Sequence, residues 1–90
     1  MKNFELGQIV KSTAGRDCGE LFIILDMNEA YAYIADGKRR RIESPKKKKF
    51  KHLQITYKIS EEIAGKIKHN EKITNADIRN NLKDYQQTLE

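Results

Sequence analysis

Apolar and polar positions along this chain change their period near residue 60. Before that point the pattern predicts short strands. Gln8 to Thr13 is a brief β-branched run opened by Gly7, and Leu21 to Leu25 is continuously apolar, as suits a strand buried on both faces. Tyr31 to Ala35 predicts an aromatic-rich third strand. Asp36-Gly37 predicts a two-residue type I′ turn into a return strand over Arg39 to Ser44, with Ile42 as its core contact and Pro45 as its end. Phe50 to Ile55 predicts a last strand, whose alternation puts Leu53 and Ile55 on one face and Phe50, His52 and Gln54 on the other.

Past Ser60 the spacing becomes helical. Ile59, Ile63 and Ile67 recur every four residues, Ser60 can cap, and Glu61-Glu62 suit the positive end of a helix dipole. Gly65 weakens this helix and Asn70 is its expected left-handed stop. In the second helix Thr74 caps, Asp77 completes a capping box, and Ile73 pairs with Ile78 as a hydrophobic staple. Ile78, Leu82, Tyr85 and Leu89 then line one face, expected to dock on the strands or on Ile63 and Ile67. Close-spaced strands followed by short helices predict a mainly β fold: a small barrel over residues 1–57 and a helical C-terminal extension over 58–90, packed on it.

Charge changes this picture. Lys38, Arg39, Arg40, Arg41, Lys46, Lys47, Lys48, Lys49 and Lys51 face a single acid, Glu43, and make up half of the chain's 18 basic residues. Residues 1–37 are net acidic and 53–90 are balanced, so the net charge of +5 comes from one local electrode. Such density between apolar segments points to a polyanionic partner. Arginine grips phosphate bidentately, which argues for contact by Arg39, Arg40 and Arg41; the tract Lys46–Lys49 taken alone also fits a flexible solvated run.

With 90 residues the chain makes one domain, or one with an appendage, whose core leaves little room for an enclosed substrate pocket. The apolar runs are too short for a transmembrane helix, and the first residues have no apolar stretch of the kind a secretory signal needs. A single cysteine, Cys18, fits a reducing cytoplasm, and with only His52 and His69 beside it no metal or other cofactor is expected. Catalysis is not expected, since the carboxylates are scattered and no nucleophile–base pair is signalled.

Between the first two strands lies Ala14-Gly15-Arg16-Asp17-Cys18-Gly19, whose glycines permit positive φ at both ends of a tight loop. The stretch from Leu6 to Ile24 around it resembles the KOW motif of ribosomal proteins and NusG-type transcription factors. With Ile34 to Gly37, Ile42 to Lys49, Lys51 to Leu53 and Ile73 to Arg79, it is similar to small bacterial KOW-domain RNA-binding proteins related to the archaeal and eukaryotic-type large-subunit ribosomal KOW proteins. The resemblance implies an SH3-like barrel that binds RNA, above all structured ribosomal RNA, without catalysis. It makes Gly15 and Gly19 the structural glycines of the loop, and puts Lys11 and Arg16 where the loop approaches RNA. Cys18 stands where a basic residue would be ordinary.

The expected RNA contacts are therefore Lys11, Arg16, Lys38, Arg39, Arg40, Arg41, Lys46, Lys47, Lys48, Lys49, Lys51 and His52. Phe50 stacks on a base or closes the core, and the core is the better use of a large apolar group in a small barrel. A NusG-like adaptor and an SH3-like module for an acidic protein are the alternatives. A monomer is expected, with the helical tail as a possible protein-contact surface.

Overall fold

A computed structural model describes residues 3–89, the side chain of Leu89 excepted, so the last member of the predicted helical stripe lies outside the described residues. The elements are β1 (Gln8–Ser12), β2 (Leu21–Met27), β3 (Tyr31–Ala35), β4 (Lys46–Lys49), a 3₁₀ turn (Phe50–His52), β5 (Leu53–Ile59), α1 (Glu61–Lys68) and α2 (Asn75–Leu89). The strands form one five-stranded antiparallel sheet in the order β4-β3-β2-β1-β5. β4 and β5 are its two edges, so the sheet is open rather than closed into a barrel.

Alternation along β1 and β2 serves two cores. Val10, Phe22 and Ile24 face inward with Ala32, Ile34 and Leu53, and Phe4, Leu6 and Phe50 pack against them. Ile9 and Ile23 face the other way, onto Ile63 of α1 and Ile78 and Leu82 of α2. The continuous apolar run of β2 thus has the predicted meaning: both of its faces are covered. The ladders are interrupted by a bulge between Ile24 and Asp26 in β2 and by extra residues of β5 between Ile55 and Ile59, opposite Gln8 and Val10 of β1. Each fully buried Ile adds on the order of 2 kcal/mol, which is why helices this short hold against the sheet although they would be marginal alone.

The helix ends follow the sequence closely. Ser60 Oγ accepts from Ile63 N at 3.2 Å, and Asn70 stops α1 with φ of +54°. Thr74 and Asp77 form the reciprocal capping box: Thr74 N donates to Asp77 Oδ2 at 3.0 Å and Asp77 N to Thr74 Oγ1 at 3.1 Å. The Thr74 N–H and the Lys66 ammonium, 3.1 Å away, hold the Asp77 carboxyl below its ordinary pKa and tie α1 to α2.

Three expectations are corrected. No return strand forms over Arg39–Ser44; the strand that pairs with β3 is the lysine tract, with Ala32 opposite Lys48 and Ile34 opposite Lys46. The reason is local: Asp36 Oδ1 captures the N–H groups of Lys38 and Arg40, both at 2.9 Å, and Asn75 Oδ1 takes that of Ile42 at 2.8 Å. Those donors are lost to a ladder, and Pro45 stands before the strand instead of ending one. Second, Phe50 shares the inner core with Leu53 and does not lie opposite it. The 3₁₀ turn interrupts the alternation and brings the Phe50 ring to 4.7 Å from that of Phe4. Third, the last strand, expected over Phe50 to Ile55, runs over Leu53–Ile59.

Candidate nucleic-acid interface

The loop joining β1 to β2 is closed by Ser12 N to Glu20 O at 3.0 Å and Gly19 N to Ser12 O at 2.8 Å. Gly15 and Gly19 take φ of +86° and +90°, the positive values expected of them. Inside the loop Asp17 is the organising residue. Its Oδ1 accepts from Ser12 Oγ at 2.7 Å and from Lys48 Nζ at 2.9 Å, while Lys46 Nζ lies 2.9 Å from Oδ2 as an ion pair. Burial opposes ionisation of Asp17, but the hydrogen bonds from Lys48 and Ser12 and the ion pair with Lys46 outweigh it and hold the carboxyl well below the usual carboxylate range.

This arrangement divides the lysine tract. Lys48 is turned inward with its side chain 7 % exposed, and its ammonium also donates to Ala14 O at 2.7 Å. It anchors the loop, and two of its three ammonium donors are engaged inside the protein. Lys47 and Lys49 alternate to the other side of β4 and are exposed, Lys47 with its ammonium 4.2 Å from the centroid of the Tyr31 ring. Lys51 is exposed in the 3₁₀ turn. His52 is half-buried there, its carbonyl accepting from Thr13 N at 2.9 Å.

The arginines stand on a second loop, docked rather than strand-paired. Asp36 N and Gly37 N donate to Arg40 O, Asn75 Nδ2 donates to the Glu43 carboxylate at 2.9 Å, and Arg79 Nη1 donates to Gly37 O at 2.7 Å. The loop is therefore fixed by hydrogen bonds to α2 while its cations stay outside. The Arg39 side chain is 81 % exposed, 3.8 Å from Glu20; Arg41 is tethered to Glu43 at 3.4 Å. A cleft of about 300 Å³ is lined by Arg16 of the first loop, Arg39 and Arg40 of the second and Lys46 of β4, together with the acids Asp17, Glu20 and Asp36. Beside it a groove of about 630 Å³ runs between the arginine loop, the start of β2 and α2, lined by Lys38, Arg39, Arg79 and Lys83 among others.

Of the expected cations the fold thus gathers Arg16, Lys38, Arg39, Arg40 and Lys46 on one side. Lys11 is exposed farther along that side, beyond Gly19. Arg79 and Lys83 belong to the same surface and were not picked out from sequence, although their spacing of four on a helix is a legible signal for a shared face. Among the described residues no three His, Cys, Asp or Glu side chains gather as a metal site, and no helix is long and apolar enough to cross a membrane. No protein-family model matches the chain, and no curated protein matches it.

Proposed function

We propose that this is a non-catalytic RNA-binding protein of the cytoplasm, ribosomal or ribosome-associated, built on an SH3-like KOW barrel. The observation that carries the RNA-binding role is the cleft in which Arg16 of the glycine loop meets Arg39 and Arg40 of the second loop. Arginines on two loops that are each closed by internal hydrogen bonds lose little freedom when they grip phosphate, and their planar donors match phosphate oxygens in pairs. Selectivity would come from the shape of the RNA, since these contacts read backbone and not base edges. The SH3-like assignment is supported by the antiparallel order of the five strands, in which β5 returns to pair with β1, and by the bulge in β2.

Pulldown of RNA followed by sequencing of the bound fragments identifies the class, with ribosomal RNA the expected enrichment. For a bound fragment, log K should fall with log salt at roughly −0.7 to −0.9 per phosphate contact, over on the order of five contacts. A nearly flat salt dependence, or retention of acidic proteins and no RNA, sinks the proposal.

A further inference from the structure

Tyr57 has a relative exposure of 104 %, the one large hydrophobic side chain left wholly in solvent among the described residues. It lies on the edge strand β5, beside a third groove of about 600 Å³ whose walls include Lys11 and Gln54. The three grooves are contiguous. The arginine cleft shares Glu20, Asp36 and Arg39 with the groove along α2, and that groove shares Gly19, Leu21 and Gln86 with the one ending at Tyr57. A path therefore leads from Arg40 past Arg39, Arg79 and Lys83 to Lys11 and the free tyrosine ring. Three acids also line the arginine cleft: Asp17 is paired with Lys46 and Lys48, Asp36 Oδ1 accepts from the N–H groups of Lys38 and Arg40, and Glu20 lies 3.8 Å from Arg39, a loose exposed pair that a phosphate would compete with.

Resting on the RNA-binding role proposed above, we infer that this path holds a single-stranded stretch of RNA, its phosphates along the cations and an unpaired base stacked on Tyr57. A chain of cations in a groove that ends at a bare aromatic ring is complementary to a flexible polyanion with free base faces. A duplex offers a side-on tyrosine no open base face, because its bases are stacked on one another. Tyr57 stands in the irregular stretch of β5 between Ile55 and Ile59, which turns its ring outward, whereas the other tyrosines of the sheet and helices, Tyr31, Tyr33 and Tyr85, are half-buried.

The test is fluorescence anisotropy with a labelled oligoadenylate of about ten nucleotides, set against an RNA duplex of the same length. The wild-type protein should prefer the unpaired strand. Tyr57→Ala should lose about tenfold in affinity for it while Tyr57→Phe, which keeps a ring, stays close to wild type. Lys83→Gln should reduce the salt slope by roughly 0.7. Circular dichroism confirms that the variants stay folded, as the exposed positions predict. The strand path is overturned if Tyr57→Ala binds oligoadenylate as tightly as wild type while Arg39→Ala with Arg40→Ala weakens RNA binding, an outcome that leaves the RNA-binding role standing. If the wild-type protein binds neither probe and pulls down no RNA, both fall together.

Discussion

The Lys48 ammonium sits 2.9 Å from Asp17 Oδ1 across 31 positions of sequence, and it fastens the glycine loop to the edge strand β4. One pair thereby explains two local facts. It lets a run of four lysines act as a strand, because one of them is neutralised where it turns inward and a second, Lys46, pairs with the other oxygen of the same acid. It also keeps the loop closed, with Arg16 left exposed at its tip.

Replacing Asp17 by Asn should cost about 3 kcal/mol at neutral pH, since Lys48 would be left buried against a neutral partner. The folded-state pKa of Asp17 is lowered, so its stabilisation is fully present above the unfolded-state value of about 4 and is lost only as pH falls further. Chemical denaturation from pH 7 downward should show a constant gap between variant and wild type until about pH 4, narrowing below it. A gap that closes already at pH 6 would mean that Asp17 is not the ionised anchor.

Within the lysine tract stability and binding should separate by alternation. Lys48→Ala should lower stability by on the order of 2–3 kcal/mol. Lys47→Gln with Lys49→Gln should stay within about 1 kcal/mol of wild type, losing only an exposed cation–π contact. Thermal melts rank the variants. Equal melting temperatures would show that the inward position of Lys48 carries no weight.

Much of this fold is legible in the chain because its signals are local. The caps at Ser60 and Thr74, the left-handed Asn70, the positive-φ glycines and the doubly buried run of β2 each depend on neighbours a few residues away. The return strand was misplaced because Asp36-Gly37 carries a hairpin signature, while the donors that such a hairpin needs are taken by the Asp36 side chain and by Asn75, 33 positions from Ile42. A polylysine strand is invisible to periodicity, since its alternation lies in the partners and not in the side chains. The basic segment was found by charge density. Which of its members face outward was not, because that depends on Asp17 and on α2.

Among the arginines the cleft sets the order. Arg39→Ala with Arg40→Ala removes two cations from the cleft and should weaken RNA binding more than Arg41→Ala, whose guanidinium is tethered to Glu43 outside the cleft. The salt slope should drop by roughly 1.5 for the double variant if both make phosphate contacts. Side chains this exposed should leave the melting temperature nearly unchanged. If Arg41→Ala is the more damaging, the cleft is not where phosphate sits.

Gly37 and Gly19 test whether the arginine loop must be docked. Both have positive φ, +78° and +90°, so any L side chain is strained at either. They differ in surroundings. A Cβ on Gly19 meets nothing within 4 Å, whereas one on Gly37 falls 2.5 Å from the Asn75 carbonyl oxygen and 2.9 Å from Arg79 Cγ. Gly19→Ala should therefore cost about 1 kcal/mol, the backbone strain alone. Gly37→Ala should cost clearly more, because the loop must lift from α2 and give up the Arg79 bond to its carbonyl and the Asn75 bond to Ile42. Once lifted, Lys38, Arg39 and Arg40 become mobile and must be ordered again on binding. RNA affinity measured where the variant is still folded should then fall, although no cation has been removed. If Gly37→Ala lowers stability but binds RNA as wild type does, charge alone governs binding and the docking of the loop has no part in it.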